Sequence, residues 1–230
     1  MLPPELLTLS PNESVNLQIY RALRQSIVNC TLLPGTPVSD KEISELFGVS
    51  RQPVRDAFIK LAGAGLIQVL PQRGTFVKKI SPKRVLNGRF IREAVEVAVV
   101  TRAAEVIGED NLLALASNLE QQKLAAARKD TARFLSLDED FHTGISRSID
   151  CIEAWELIED IKAHMDRVRY LSLGQITSLE MLIAQHAAVL VALQAHDPKL
   201  AEQAMRAHLR EINLSFGQIR DRNPDWFEAE

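Results

Sequence analysis

The sequence predicts a mainly α protein in two parts: a small helical module ending in a β-hairpin, then an all-α bundle of six helices. Three observations carry this reading. Residues 39–77 set out two capped helices, a tight turn and a hairpin in order. From residue 84 to Gly217 the chain is alanine- and leucine-rich with helical periodicity and almost no strand signal. Charge divides at the same place: residues 1–80 hold nine Lys/Arg against six acids, net +3, and the rest holds 18 against 24, net −6. The overall charge of −3 read alone argues against a nucleic-acid role. The asymmetry fits one DNA-facing half beside another with a different task.

Taken in order, residues 1–12 carry three prolines and read as a flexible arm. A first helix, about Val15–Cys30, stops before Pro34-Gly35. Ser39 with Glu42 forms a capping-box pattern that starts a second helix. Ile43, Leu46 and Phe47 give it an apolar face, and Gly48 can take the left-handed conformation that ends it. Ser50 caps a third helix, and Pro53 lies in its first turn, where no intrahelical donor is required. Ala57, Phe58 and Leu61 recur at helical spacing, and Gly65 closes the run. Leu66–Leu70 and Thr75–Lys79 are β-prone segments around Pro71-Gln72-Arg73-Gly74, a hairpin tip with one cation. The first part is therefore a winged helix-turn-helix over 13–79, followed by a linker at 80–84. The bundle runs over 85–220, with helices near 84–107, 110–128, 131–148, 151–173, 177–196 and 197–220.

Composition narrows the class. A chain of 230 residues that is 46% apolar can bury two real cores. Two cysteines far apart, Cys30 and Cys151, indicate no disulfide framework. No signal peptide and no apolar span of membrane length is evident, so a cytoplasmic protein without a membrane partner is expected.

The third helix carries the first candidate chemistry. Arg51, Gln52 and Arg55 fall in its first turn and a half, and Arg51 and Arg55, four apart, share a side. A recognition helix enters the major groove N-terminus first, so these positions can reach base edges or phosphates. Arginine offers guanine a bidentate fork, and glutamine can pair similarly with adenine.

PGTPVSDKEISELFGVSRQPVRDAFIKLAGAGLIQVLPQRGTFV resembles the DNA-binding domain of the GntR family of bacterial transcription regulators. That domain reads PG, then L-A-x-x-x-G-V-S-R-x-P-V-R-x-A-L-x-x-L, then GL and a wing ending in RG-x-x-V. The resemblance implies double-stranded operator DNA as partner. Its contacts would fall at Ser50, Arg51 and Arg55, at the wing residues Arg73 and Gly74, and at Lys41 as a phosphate contact. Gln52 stands where many relatives have threonine, so their base preference does not transfer.

The second candidate chemistry is polar residues set in apolar stripes. Phe134, Leu137, Phe141 and Ile145 define the inner face of one bundle helix, with Asp138 and His142 four apart on its edge. His186 lies among Leu179, Leu182, Ile183, Val189, Leu190 and Leu193. His208 is bracketed by Ala201, Ala204, Ile212 and Phe216, and His164 lies among Ile161, Met165 and Val168. Buried carboxylates and imidazoles must satisfy one another or a shared ion. An Asp with three neutral imidazoles suits a divalent metal: zinc first, then nickel, cobalt, manganese or iron, with coordination positions left open.

LDEDFH at 137–142, QH at 185–186 and MRAHL at 205–209 resemble the FCD-type ligand-binding domain of the FadR-like GntR subfamily, in its shorter, six-helix branch. The resemblance implies one metal per subunit held by Asp138, His142, His186 and His208. It also implies an organic-acid effector (a sugar acid, hydroxy acid or dicarboxylate) completing the coordination. Arg92, with Glu96 in an R-x-x-x-E pattern, would grip that acid or form an i,i+4 salt bridge; Arg169 and His164 are further effector candidates. The whole is then expected to be a homodimeric, non-enzymatic repressor. A metal-dependent enzyme, or a regulator with a purely structural metal, remains the alternative.

Overall fold

The computed structural model describes residues 7–229, Asp160 in its backbone only. The chain forms two compact units. One comprises the residues up to Val85 together with 163–167 and the segment from Arg220 onward; the other comprises 86–162 and 168–219. Val85, residues 163–167 and Arg220, expected in the bundle, therefore group with the N-terminal unit.

In the N-terminal unit, α1 (Val15–Val28) packs on α3 (Arg51–Gly63), as does α2 (Asp40–Phe47). Ser39 accepts the Glu42 N–H at 3.4 Å, and Gly48 ends α2 in the left-handed region at φ 65°. Ser50 is the N-cap residue of α3, yet its hydroxyl makes no capping bond. The wing is a three-stranded antiparallel sheet in the order β1-β3-β2, with β1 Pro37–Val38, β2 Ile67–Leu70 and β3 Gly74–Val77. The two-residue strand β1 is too short to show a period in sequence; it joins through Pro37↔Phe76 and Val38↔Thr75. Ile19, Leu23, Ile27, Val54, Leu61 and Leu66 form the core of this unit.

Of the arm expected at 1–12, residues 1–6 lie outside the described residues. From Leu7 onward the chain is tied down: Leu7 and Leu9 pack against the core, and Ser10 exchanges hydrogen bonds with the Gln18 amide at 2.6 and 2.9 Å. The expected linker is short, because α4 (Pro82–Val106) already begins at Pro82. A 3-10 turn at Pro224–Trp226 brings the C-terminal segment alongside Ile80: Ile80 N–H donates to the Trp226 carbonyl at 2.8 Å, and Glu228 N–H to the Ile80 carbonyl at 2.9 Å.

The helical unit holds most of α4, then α5 (Glu109–Ala127), α6 (Thr131–Ser148), α7 (Ile152–Ile161), α9 (Leu179–Gln194), α10 (Pro198–Leu209) and most of α11 (Ile212–Arg222). Helix α8 (Ala163–Ser172) has its first five residues in the N-terminal unit and its last five in the helical one. Two expected helices are thus each divided, at Lys162 and at Arg210-Glu211. Lys162 and Arg210 keep right-handed helical dihedrals, so the apolar period runs on across both interruptions and hides them from sequence. Short polar caps set the helices that matter below: Asp130 accepts Arg133 N–H ahead of α6, Ser178 accepts Met181 N–H ahead of α9, and Asp197 accepts Leu200 N–H ahead of α10. Helix α5 packs on α6 and α9, and α9 on α10, around Phe134, Phe141, Ile145, Val189 and Leu193.

Candidate DNA interface and metal centre

The recognition-helix candidates lie on an open surface. Arg51, Gln52 and Arg55 are exposed on α3, and Lys41 and Ser50 are exposed beside them. Asp40, the first residue of α2, takes both arginines: Arg51 Nη2 meets Oδ1 at 2.5 Å and Arg55 Nε meets Oδ2 at 2.8 Å. The hydrogen bonds from Arg51 and then Arg55 hold the Asp40 carboxyl below its ordinary value. Sequence reading missed Asp40, because its eleven- and fifteen-residue separations from the arginines follow no helical spacing. Gln52 donates to Asp56 at 2.9 Å, and Lys41 lies 3.9 Å from Glu45. Arg73 and Gly74 are exposed at the wing tip, where Gln72 and Gly74 both have positive φ.

The bundle gathers four of its candidates. One ligand atom each from Asp138, His142, His186 and His208 lies within 4.8 Å of all the others, and all four residues are buried. Asp138 and His142 share a face of α6, His186 comes from α9 and His208 from α10. His142 Nε2 and His186 Nε2 approach His208 Nε2 at 3.1 and 3.3 Å, and Asp138 Oδ1 lies 3.5 Å from His186 Nε2.

The surrounding hydrogen bonds decide which nitrogens carry protons. His186 Nδ1 meets Gln122 Oε1 at 2.8 Å; that amide's nitrogen is engaged with Asn118 Oδ1, so its oxygen must accept from the ring. His208 Nδ1 meets Gln185 Oε1 at 3.0 Å, and Gln185 in turn hydrogen-bonds Glu211. His142 Nδ1 faces the Glu96 carboxylate, which can only accept. All three rings are therefore assigned as Nδ1–H tautomers, with three Nε2 lone pairs turned on one another. Protonating two of them is opposed: burial, more than any neighbour, lowers His186 to about 3 and pushes His208 well below its ordinary value.

Asp138 completes the arrangement. Arg169 Nη2 holds Oδ2 at 2.5 Å, while the buried Oδ1 accepts no hydrogen bond among the described residues. Burial raises the Asp138 carboxyl, but the Arg169 guanidinium opposes it, and the group stays ionised, well below its ordinary value. Converging lone pairs, an orphaned carboxylate oxygen and anchored Nδ1–H groups fit a divalent cation with its outer hydrogen-bond shell in place. Two nitrogens each about 2.1 Å from one zinc stand about 3.0–3.4 Å apart at octahedral to tetrahedral angles, the separation seen here.

The effector candidates divide. Arg92 is buried and its Nε pairs with Glu96 Oε1, which realises the i,i+4 salt bridge. Its Nη2 is buried without a hydrogen-bond partner among the described residues, and its guanidinium lies 5.9 Å from the Trp155 ring, which stacks on His142. Burial raises the Glu96 carboxyl, yet Arg92 and His142 together hold it at about 2. Arg169 serves Asp138, as above. His164 is not in the cluster: it groups with the N-terminal unit, and both its ring nitrogens are taken by backbone, Nδ1 by Ser81 N–H and Nε2 by the Gly65 carbonyl, each at 3.0 Å. Its apolar neighbours in sequence marked it as buried but could not say in which core.

A winged helix-turn-helix joined to a helical unit with such a cluster defines a class of bacterial transcription regulators, and the comparisons agree. Residues 16–77 match "Bacterial regulatory proteins, gntR family" and residues 89–211 match the FCD domain. The chain belongs to the GntR family with an FCD domain and is a DNA-binding transcription regulator, not an enzyme. It is 51% identical over 96% of its length, and 97% of the relative's, to the HTH-type transcriptional repressor RspR of Escherichia coli (strain K12). It is 25% identical, over 86% of its length and 84% of the relative's, to the gluconate operon transcriptional repressor of Bacillus subtilis (strain 168). Among solved structures, E. coli McbR/YncC shares its fold, with a TM-score of 0.78 at 21% identity over 90% of this chain and 99% of that one. Among the described residues no helix is long and apolar enough to cross a membrane.

Proposed function

We propose that this regulator is a homodimeric repressor whose operator binding responds to a small organic acid bound beside a divalent metal, zinc first, in the helical unit. The observation that carries this is the convergence of three anchored imidazole Nε2 atoms and the orphaned Asp138 Oδ1. Asp138, His142, His186 and His208 would hold the ion, which supplies a Lewis-acidic point for a carboxylate oxygen. Arg92, with a buried N–H to spare, would take the acid's other oxygen, and Arg169 would hold Asp138 rather than the effector. On DNA, Arg51, Gln52 and Arg55 would read the major groove, while Lys41, Ser50, Arg73 and Gly74 meet backbone. Two linked half-sites would gain affinity through effective concentration, which favours a dimer.

Four protein donors also suit a closed, structural zinc site. A thermal-shift screen of sugar acids, hydroxy acids and dicarboxylates on the metal-loaded protein separates the two readings. A rise in melting temperature that requires the metal supports the sensor; no rise with any acid leaves the structural metal.

A further inference from the structure

The Nδ1–H form of His186 is unfavourable for the groups around its other nitrogen. His186 Nε2 lies 3.3 Å from His208 Nε2 and 3.5 Å from Asp138 Oδ1, and both of those atoms are acceptors. A proton on Nε2 would serve either one, and Asp138 Oδ1 accepts no hydrogen bond among the described residues. Left to its own groups, the cluster would therefore carry the ring proton on Nε2. The bonds behind His186 hold it on Nδ1 instead.

Those bonds end in a group of single polarity. The Leu137 carbonyl of α6 can only accept, so the amide that meets it at 3.0 Å, Asn118 of α5, must turn its Nδ2 there. Asn118 Oδ1 is left to face Gln122 Nε2 at 2.8 Å, and Gln122 Oε1 then faces His186 Nδ1 at 2.8 Å. Each amide takes its direction from its predecessor, and the imidazole at the end can only donate. A shorter chain serves the next ligand. Gln185 hydrogen-bonds Glu211, whose carboxylate accepts, and turns its Oε1 to His208 Nδ1 at 3.0 Å. His142 faces the Glu96 carboxylate directly and needs no amide between.

We propose that Asn118 and Glu211, which supply no ligand, are positioning residues for the cluster. They fix which nitrogen of His186 and of His208 is bare, and so keep two lone pairs where a cation would take them. The proposal rests on the metal reading of the cluster. Both chains withhold hydrogen bonds from Asp138 Oδ1 and from the facing Nε2 atoms, a local loss that a bound cation makes good.

Long-range proton–nitrogen correlation spectra of the zinc-stripped full chain, isotope-labelled at histidine, test this because they separate the two neutral tautomers ring by ring. The wild type should show His142, His186 and His208 as Nδ1–H. Asn118→Leu removes the polarity of the longer chain, so Gln122 can turn, and His186 alone should move to Nε2–H. Zinc affinity, measured by chelator competition, should fall at least about tenfold in that variant. Asn118→Asp keeps an acceptor for Gln122 Nε2 and should restore both readings. Glu211→Gln can face Gln185 with either polarity, so His208 should show mixed tautomers while His186 stays as in the wild type. Glu211 is half-buried, and its variant keeps the test decisive if Asn118→Leu does not fold. An unchanged His186 in Asn118→Leu, a wild type already carrying Nε2–H there, or no rescue by Asn118→Asp overturns the proposal. A tautomer switch in proteins that bind no zinc would refute the metal reading and leave the positioning role standing. Zinc bound by the wild type with no switch in either variant would do the reverse.

Discussion

Ion pairs of similar composition do opposite things in the two units. On the recognition helix, Arg51 and Arg55 share Asp40 with side chains 51% and 55% exposed; in the bundle, Arg92 and Arg169 hold Glu96 and Asp138 with side chains 4% and 11% exposed. In water such a pair is worth about 0–1 kcal/mol, so under the proposed function DNA would take the arginines from Asp40 at little cost. Away from water, removing one partner strands a charge, so the buried pairs fix a constellation instead of exchanging it. Under the proposed function the exposed site would swap partners and the buried one would preset ligands.

The largest effect that would break this contrast is on stability. Arg92→Ala should destabilise the protein by about 3–5 kcal/mol, the usual penalty for stranding one member of a buried pair, as read by denaturant unfolding. A loss below about 1 kcal/mol would place that pair with the surface ones. Arg55→Ala should leave unfolding within about 0.5 kcal/mol of wild type. It should nevertheless cost roughly 1–3 kcal/mol of operator binding per half-site in a titration at fixed moderate salt, if the arginine makes a bidentate base contact. Retained specific binding in the Arg51/Arg55 double alanine would contradict the assignment.

Acid sharpens the comparison further. His186 at about 3, His164 at about 4 and His208 well below normal are all depressed on folding, so between about 6.5 and those values the unfolded chain binds more protons. The chelated protein should therefore lose stability as pH falls through 6 toward 4. Below about 4.5 it should lose more, as Glu96, held at about 2, is protonated preferentially in the unfolded chain. Denaturant midpoints that stay flat from pH 7 to 5 would show the imidazoles are not buried neutral. The smallest effect belongs to Asp40→Asn: unfolding should move by no more than about 1 kcal/mol. A larger loss would mean that Asp40 organises the recognition helix instead of merely lending its charge.

What was legible in sequence was what local chemistry determines. The cap at Ser39, the left-handed Gly48 and the arginines four apart all report on one helix turn, and the structure shows each of them. Asp138 and His142 were visible for the same reason, and His186 and His208 because an imidazole in an apolar stripe must find a partner. Contacts between distant segments left no such trace. Asp40 serving two arginines, Gln122 and Gln185 setting tautomers, and His164 docking on Gly65 depend on packing that no period encodes. Glu96 was noticed as the partner of Arg92, but its second role against His142 Nδ1 emerges only when α4 meets α6.

The central claim is that the four buried donors form a metal centre, and metal stoichiometry tests it most directly. Elemental analysis after dialysis against zinc should find one ion per chain in the wild type and none in His186→Ala, with both proteins folded. A wild type that retains no metal, or a His186→Ala variant that keeps its full complement, would contradict the account.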